Sequence, residues 1–356
     1  MRLSAKAVLV LVALLLVPVG AWSVTMEELI AGAKKEKELV FIAGANTFGG
    51  RKGFADLQKA FNAKYGLDAT LKITGGPSMP AMAGRVITEL KAGRKSSTDF
   101  YLGSQSHIAT LHKQNALAKV DWASIFPWIT NEMEIVPDES VLVYSSVNGI
   151  FYNTNLVPED KAPKTYEDLV DPKLSATWAG KVAIPPYTSW LVQLSMIWGP
   201  EKVKDYTEKL VAISGGRLRY SEDERIVSGE FPIMANLGGA VESMWKWTAK
   251  GAPVKGLAGS TPAISSYFQL GVPVNSAHPN LARLMVAFML TKEGQAVVQK
   301  YRYRSSHLIS GTLMAKYMKE SGVKMQSPEE TVKFYMEGGG LELKKEVTKL
   351  VRRKKK

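Results

Sequence analysis

The sequence contains no cysteine, and this absence excludes every site that needs a thiolate. None of the 356 residues is Cys, which rules out disulfide bonds, thiolate zinc sites, iron–sulfur clusters and a lipid-modified N-terminal cysteine. The histidines are also few, and the nearest pair, His107 and His112, does not share one helix face. We therefore predict that the protein holds neither a metal ion nor a cofactor.

Long apolar runs are absent except at the start of the chain. The apolar run 7–19 follows Arg2 and Lys6 and precedes small residues. A bilayer-spanning helix needs about 17–25 apolar residues, so this run is too short to span one. A basic start, an apolar run and small residues predict a secretory signal peptide over residues 1–23, cleaved near residues 21–23. We expect an exported protein that is not a lipoprotein.

Catalytic motifs are absent as well. The chain has no H-E-x-x-H zinc motif and no G-x-S-x-G nucleophile elbow. The loop 44–49 has the glycine spacing of a phosphate-binding Walker loop, but Gly50 and Arg51 stand where Lys and a hydroxyl residue are required. We therefore expect a binding protein rather than an enzyme, with a secreted hydrolase as an alternative.

Acidic residues are fewer than basic residues, and much of the excess positive charge lies near the two ends of the chain. The net charge is +13, of which residues 341–356 account for +6 and the signal peptide for +2. Nucleic-acid binding requires a basic stripe with interleaved aromatic residues, so we expect no nucleic-acid partner. The basic tail, residues 346–356, is predicted to be a solvated end, and its contact with anionic lipid stays open.

Strand-like apolar runs alternate with helix-period segments along the first half of the chain. The strands predicted there are 38–43, 69–73 and 98–102. Their βαβαβα order predicts a parallel sheet with helices on both faces, and such sheets bind ligands at the carboxyl ends of their strands. The loops expected to face one crevice are therefore 44–50, 74–78 and 103–106.

The same alternation restarts near residue 140. Strands are predicted at 141–144, 149–153, 181–184 and 231–235. After the third of these, Thr188 and Ser189 are natural N-caps for a helix that continues to about Trp198. Because exposed amides and the helix dipole attract anions, this helix start is a candidate seat for a carboxylate or phosphate.

A set of short stretches carries a family resemblance. They are Gly149–Thr154, Tyr166–Leu169, Gly180–Pro185, Ser228–Glu230, His278–Asn280 and Glu293–Gln295. In this order, between about residues 27 and 305, they resemble the extracellular solute-binding proteins of bacterial ABC importers, in the ferric-ion-binding-like branch. The resemblance implies a two-lobed α/β periplasmic-binding-protein fold (type II-like), with parallel-rich sheets flanked by helices and hinge strands between the lobes.

The resemblance also implies a function and a location. The expected protein is a periplasmic substrate-binding component of an ABC transporter that traps a small molecule and delivers it to a permease in the inner membrane. Without a lipidated cysteine, we expect it to be free in the periplasm and monomeric. A binding protein that serves a sensor rather than a transporter is a further alternative.

The positions that hold iron in the resembled branch are changed in this chain. Aligned on the shared stretches, the paired tyrosines fall at Leu237 and Gly238, the histidine near Thr47 and the glutamate near Ser104. None of these side chains suits a ferric ion, which prefers anionic oxygen ligands. We therefore predict a small organic anion as the ligand, namely a phosphonate, a phosphate ester or a carboxylate.

The predicted ligand-binding residues lie in the loops that follow strands and at the starts of helices. They are Asn46, Thr47, Phe48, Ser104, Gln105, Thr188, Ser189, Trp190, Asn236, Gly238 and Tyr267. The polar members are expected to bind the anion, and the aromatic members to form walls around an apolar ligand body. No catalytic residue is predicted.

The domain prediction follows the chain crossings that the resemblance implies. Lobe one is predicted to comprise residues 24–142 and 263–312, and lobe two residues 143–262. C-terminal helices over residues 313–345 are expected to pack on lobe two and to precede the basic tail.

Overall fold

The structure is a computed structural model, which describes residues 24–352. The predicted signal peptide and the last part of the basic tail, residues 353–356, lie outside the described residues. The α-helices are α1 Met26–Glu36, α2 Gly50–Tyr65, α3 Met79–Lys91, α4 Gln105–His112, α5 Trp122–Ile125, α6 Pro172–Ser175, α7 Ser189–Trp198, α8 Pro200–Ile213, α9 Glu224–Val227, α10 Ala240–Thr248, α11 Pro279–Met289, α12 Lys292–Arg302, α13 Leu313–Ser321, α14 Pro328–Met336 and α15 Gly340–Arg352. The strands are β1 Glu38–Ala43, β2 Thr70–Gly75, β3 Tyr101–Ser104, β4 Glu134–Val136, β5 Ser140–Val147, β6 Gly149–Asn153, β7 Val182–Ile184, β8 Ser214–Arg217, β9 Ile233–Leu237, β10 Val254–Leu257 and β11 Ser265–Gly271.

The first two strands form a parallel pair that the third does not join. Along the free edge of β1, Asp99 Oδ2 accepts a hydrogen bond from Val40 N at 2.7 Å, and Thr98 Oγ1 accepts one from Ile42 N at 3.1 Å. Asp99 N also donates to Val40 O at 2.8 Å, so this segment takes the place of a neighbouring strand with two side chains and one backbone hydrogen bond. β3 therefore begins at Tyr101 and pairs antiparallel with β11, so the predicted parallel continuation of the sheet through residues 98–102 is wrong.

Two larger sheets form the centres of the two lobes. The sheet of lobe one has the order β3-β11-β5-β4, with antiparallel pairs throughout. The sheet of lobe two has the order β10-β6-β9-β7-β8, in which β7 runs parallel to both neighbours. This mixed α/β architecture in two lobes confirms the predicted fold class.

The chain passes between the lobes twice in the region of Asn148. β5 lies in one sheet and β6 in the other, and β10 and β11 are divided in the same way. Asn148 joins the two crossings. Its backbone N donates to Ile264 O at 3.0 Å, and its side-chain Nδ2 donates to Ser266 Oγ at 2.9 Å. The lobe boundaries stay a prediction, although β5 runs unbroken through Val147 across the boundary predicted at residue 142.

The C-terminal helices contact both lobes. α14 packs on α4 of lobe one, whereas α15 packs on α7 and α8 of lobe two. The buried residues Leu343, Val347 and Val351 recur every four residues along α15 and form one apolar face. Because of this face the helix continues through Arg352, beyond the end predicted at residue 345. No described helix combines the length and the apolar character that a membrane crossing requires.

Candidate functional site

The loop after β1 has an exposed start and a buried end. Asn46 is exposed and Thr47 is half-buried, whereas Phe48 is buried in the core of lobe one. The Phe48 ring centroid lies 5.8 Å from that of Phe41 and 6.5 Å from that of Tyr144. Phe48 is therefore part of the packing of lobe one in this conformation, and Asn46 and Thr47 are the members of the loop that face outward.

The loop after β3 leads into α4, with Ser104 as the N-cap residue. Ser104 N donates to His107 Nδ1 at 3.2 Å, and the Ser104 hydroxyl lies 3.1 Å from the same nitrogen. Gln105 is buried, and its Nε2 donates to Ser265 O at 3.0 Å. The Gln105 side chain thus ties the start of α4 to β11.

The start of α7 is the predicted anion seat, and the C-terminal segment covers it. Thr188 is only 3% exposed, and its hydroxyl lies 2.7 Å from that of Thr348 on α15. Ser189 O accepts a hydrogen bond from Tyr335 OH at 3.2 Å. Trp190 packs in the core of lobe two, with its ring centroid 5.3 Å from that of Tyr166.

The loop after β9 carries Leu237 and Gly238, the two residues that the resemblance aligns with paired iron-binding tyrosines. Asn236 is fully buried; its Oδ1 accepts from Tyr166 OH at 2.7 Å, and its Nδ2 donates to Tyr220 OH at 3.0 Å. Leu237 is buried in the core of lobe two. A Cβ atom on Gly238 would lie 2.5 Å from the Tyr220 ring, so a larger residue at position 238 would require this ring to shift.

Tyr267 on β11 fastens the C-terminal segment to lobe one. Its hydroxyl donates to Gln326 O, and its ring centroid lies 6.0 Å from that of His307. Only 1% of the residue is exposed. Its role as a ligand wall stays a prediction, as does the binding role of the other predicted site residues.

Arg304 is a cation that the sequence reasoning missed. Its guanidinium carbon lies 5.3 Å from the ring centroid of Tyr144 and 5.4 Å from that of Phe268, and Nη1 donates to Tyr144 OH at 3.3 Å. The two rings stack with centroids 4.5 Å apart. Arg304 forms no salt bridge with any of the carboxylates in residues 24–352. Cation–π contact therefore positions the guanidinium while its charge stays uncompensated.

Lys344 on α15 is a second cation without an acidic partner. Its Nζ donates to Ser106 Oγ at 2.9 Å, next to the start of α4. Burial lowers the pKa of this half-buried ammonium group, and within the described part of the chain it has no salt bridge. Thr348, one turn later, meets Thr188, so α15 links the helix starts of the two lobes.

Glu242 in the first turn of α10 is a buried acid that the sequence reasoning also missed. It is only 3% exposed. Burial raises its pKa to about 7, and this effect exceeds the opposing influence of the Arg304 charge and of hydrogen bonds from Ser146 and from the backbone N–H groups of Val147 and Glu242. The sequence carried no signal for it, because its burial depends on residues far away in the chain.

Metal-binding clusters are not found in the part of the chain that the structure describes. No group of three or more His, Asp or Glu side chains within residues 24–352 is arranged to hold a metal ion. Neither Leu237 nor Gly238 has a side chain that could supply an anionic oxygen ligand.

Comparison with known proteins identifies the family. The family model described as bacterial extracellular solute-binding protein matches residues 56–307, which is more than half of the chain. The chain belongs to this family. The predicted resemblance is thereby confirmed. A search among curated proteins found none that matches this sequence.

Solved structures of solute-binding proteins share the fold. Iron-bound HitA from Pseudomonas aeruginosa is 17% identical, with a TM-score of 0.67 over 87% of this chain and 99% of its own. AfuA from Actinobacillus pleuropneumoniae, solved with fructose-6-phosphate, is 16% identical, with a TM-score of 0.68 over 89% of this chain and 99% of its own. The substrate-binding protein of an ABC transporter from Agrobacterium tumefaciens is 16% identical, with a TM-score of 0.69 over 90% of this chain and 97% of its own. At these identities the likeness shows that this solute-binding protein has their two-lobed fold.

Proposed function

We propose that this solute-binding protein captures a small organic anion between its lobes in the periplasm and delivers it to the inner-membrane permease of an ABC importer. Family membership supports solute capture. The observation that favours an anion is Arg304, a cation held over the Tyr144 and Phe268 rings without a carboxylate partner. Phosphonates, phosphate esters and carboxylates all present the oxygens that a guanidinium group binds.

Two further features support an anionic solute. Lys344 brings a second ammonium group without a salt bridge to the start of α4, and the start of α4 adds the positive end of a helix dipole. A positive charge beside the positive end of a helix is unfavourable unless an anion lies between them. Binding of the solute would therefore relieve repulsion that the unliganded protein carries.

Iron is disfavoured by the residues that replace its ligands. In the solved relatives, HitA was crystallised with iron and AfuA with a sugar phosphate. Here Leu237 is buried in the core and Gly238 lies against the Tyr220 ring, so neither position supplies the anionic oxygen that a ferric ion prefers. The proposed ligand therefore belongs with phosphate-type anions rather than with metals.

A binding screen with matched variants tests the proposal. Purified protein is titrated calorimetrically with phosphate esters, phosphonates, carboxylates and ferric citrate. We expect an organic anion to bind and ferric citrate to give neither heat nor a tyrosinate-to-iron absorption band. Arg304→Met should weaken anion binding at least tenfold, whereas Arg94→Met, at an exposed residue after α3, should leave it unchanged.

The same experiments show what would overturn the proposal. Binding of ferric ion with a tyrosinate band, or equal affinities of wild type and Arg304→Met for the anion, would each contradict it. Turnover of a bound ester would favour the hydrolase alternative. Deletion of the gene should abolish uptake of the identified anion, and unchanged uptake would favour the sensory alternative.

A further inference from the structure

Three loops of lobe two lie side by side at one edge of its sheet. Strand β7 runs parallel to both β8 and β9, so the segments that follow these three strands leave the sheet at the same edge. They carry Tyr187 after β7, Tyr220 after β8 and Gly238 after β9. Leu218 N donates to Ile184 O at 3.1 Å, which ties the chain after β8 to the end of β7. The carboxyl edge of parallel strands is where α/β sheets bind ligands.

Contacts with lobe one show which way this edge is turned. Gly239 N donates to Asn148 Oδ1 at 3.1 Å, so the loop after β9 lies at the chain crossing between the lobes. Ser265 N, at the start of β11 in the sheet of lobe one, donates to Gln193 Oε1 on α7 at 3.2 Å. Helix α7 follows the loop that carries Tyr187. Both contacts place this edge of lobe two where the lobes meet.

Tyr187 and Tyr220 form an aromatic pair at this edge. Their ring centroids lie 4.8 Å apart, with the ring planes tilted by 53°. The Tyr220 ring lies so close to Gly238 that a Cβ atom there would be 2.5 Å from it, and the Tyr220 hydroxyl accepts from Asn236 Nδ2 at 3.0 Å. Asn236 in turn accepts from Tyr166 OH at 2.7 Å. Tyr187 therefore packs on a ring that close packing and a hydrogen bond hold in place.

Tyr187 is exposed at this position although it is aromatic. The large apolar side chains that stay exposed within residues 24–352 are Val24, Leu156, Leu174, Tyr187 and Val274, and Tyr187 is the only aromatic one among them. It is 45% exposed. A tyrosine ring provides a large contact area at a low cost in conformational entropy, and packing on a fixed neighbour lowers that cost further. The pair thus offers a solute an ordered aromatic surface.

We propose that Tyr187 is the lobe-two contact of the captured anion and packs on a planar aromatic ring that the anion carries. This inference rests on the proposed function, which assigns the charged end of the solute to Arg304 of lobe one. A solute held between the lobes touches both of them, and Arg304 supplies only the lobe-one contact. Aromatic rings attract one another in offset-stacked and edge-to-face arrangements, beyond the gain from the apolar area that they bury.

Probes of equal charge and ring size separate aromatic packing from simple burial of apolar area. Phenyl phosphate is compared with cyclohexyl phosphate, phenylphosphonate with cyclohexylphosphonate, and benzoate with cyclohexanecarboxylate, by calorimetric titration of the full mature protein. The members of each pair carry the same anionic group on a six-membered carbon ring, which is flat in one and puckered in the other. We expect wild type to bind the flat member of at least one pair about fivefold or more tightly than its partner.

Three variants show whether Tyr187 causes this preference. Tyr187→Ala removes the ring and should weaken binding of the flat probe about fivefold, so that the two members of the pair bind equally. Tyr187→Phe keeps the ring and should keep the preference. Melting curves verify that the variants fold.

Leu156→Ala is the matched control. Leu156 is 50% exposed and follows β6, which runs antiparallel to β9. It therefore lies at the opposite edge of the same sheet, and its replacement should leave both affinities unchanged.

The outcomes separate this inference from the function beneath it. If anions bind and Arg304→Met weakens their binding, but wild type binds the two members of every pair equally, the role of Tyr187 is overturned and the anion-binding function stands. A preference that survives Tyr187→Ala overturns that role as well, and so does binding of other organic anions without binding of any flat probe. If no organic anion binds, the proposed function fails and this inference fails with it.

Discussion

The folding stability of this protein should depend on pH through Glu242. Burial raises the pKa of this carboxyl group from its ordinary value of 4.5 to about 7 in the folded protein. Between these values the folded state holds a proton that the unfolded chain has released. The contribution of Glu242 to the free energy of unfolding is therefore fully present below pH 4.5 and is lost as the pH rises to 7. The loss is about 3 kcal/mol in all, since one pKa unit corresponds to about 1.4 kcal/mol.

Glu242→Gln isolates this contribution because glutamine has the same shape and does not titrate. Urea unfolding of wild type and variant is measured at pH 5 and pH 8 without solute. The free energy of unfolding of the variant minus that of wild type should be larger at pH 8 than at pH 5 by about 2–3 kcal/mol. The exposed-site control Glu224→Gln should show no such change. Equal differences at the two pH values would refute the raised pKa of Glu242 in the folded protein.

Three further predictions concern the surroundings of the site. Gly238→Tyr should lower the free energy of unfolding by about 1–3 kcal/mol, because the added side chain meets the Tyr220 ring. The variant should not bind ferric ion, and a visible tyrosinate-to-iron absorption band would contradict this. Lys344→Met should weaken anion binding about tenfold in a calorimetric titration. The control Lys345→Met, on the exposed side of α15, should leave the affinity unchanged. Equal losses of affinity in the two variants would refute a specific role of Lys344 in anion binding. Val347→Ala should cost about 2 kcal/mol in urea unfolding, since the side chain is fully buried, and a neutral result would mean that the end of α15 is not packed.

Local sequence signals predicted individual elements well where the structure depends on nearby residues. Helix α7 runs from Ser189 to Trp198, as predicted, although the Thr188 side chain forms no capping hydrogen bond and meets Thr348 instead. Strand β6 coincides with the predicted run Gly149–Asn153. Helix periodicity and capping act over a few residues, so a single sequence contains the information.

Pairing between distant segments was not predictable in the same way. The run 98–102 had the apolar character of a third parallel strand, but Thr98 and Asp99 bind the edge of β1 with their side chains, and β3 pairs with β11 instead. The choice depends on hydrogen bonds between segments far apart in the sequence.

The candidate site shows the same division. Small polar residues after strands directed attention to the starts of α4 and α7, but the partners of Ser106 and Thr188 there, Lys344 and Thr348, come from the end of the chain. Arg304 looked like one of many basic residues until the structure placed it over two aromatic rings.

The sequence by itself determined the family, the α/β class and the replacement of the iron-binding tyrosines, because each of these depends on residue identities and on spacing along the chain. Only the tertiary structure decided which polar groups are left without partners. Glu242 and Arg304 are separated by a long stretch of sequence, yet they influence each other where the lobes meet. Burial and the absence of a salt bridge are properties of three-dimensional surroundings; burial raises the pKa of an ordinary glutamate, and the lack of a salt bridge makes an ordinary arginine a candidate for ligand recognition.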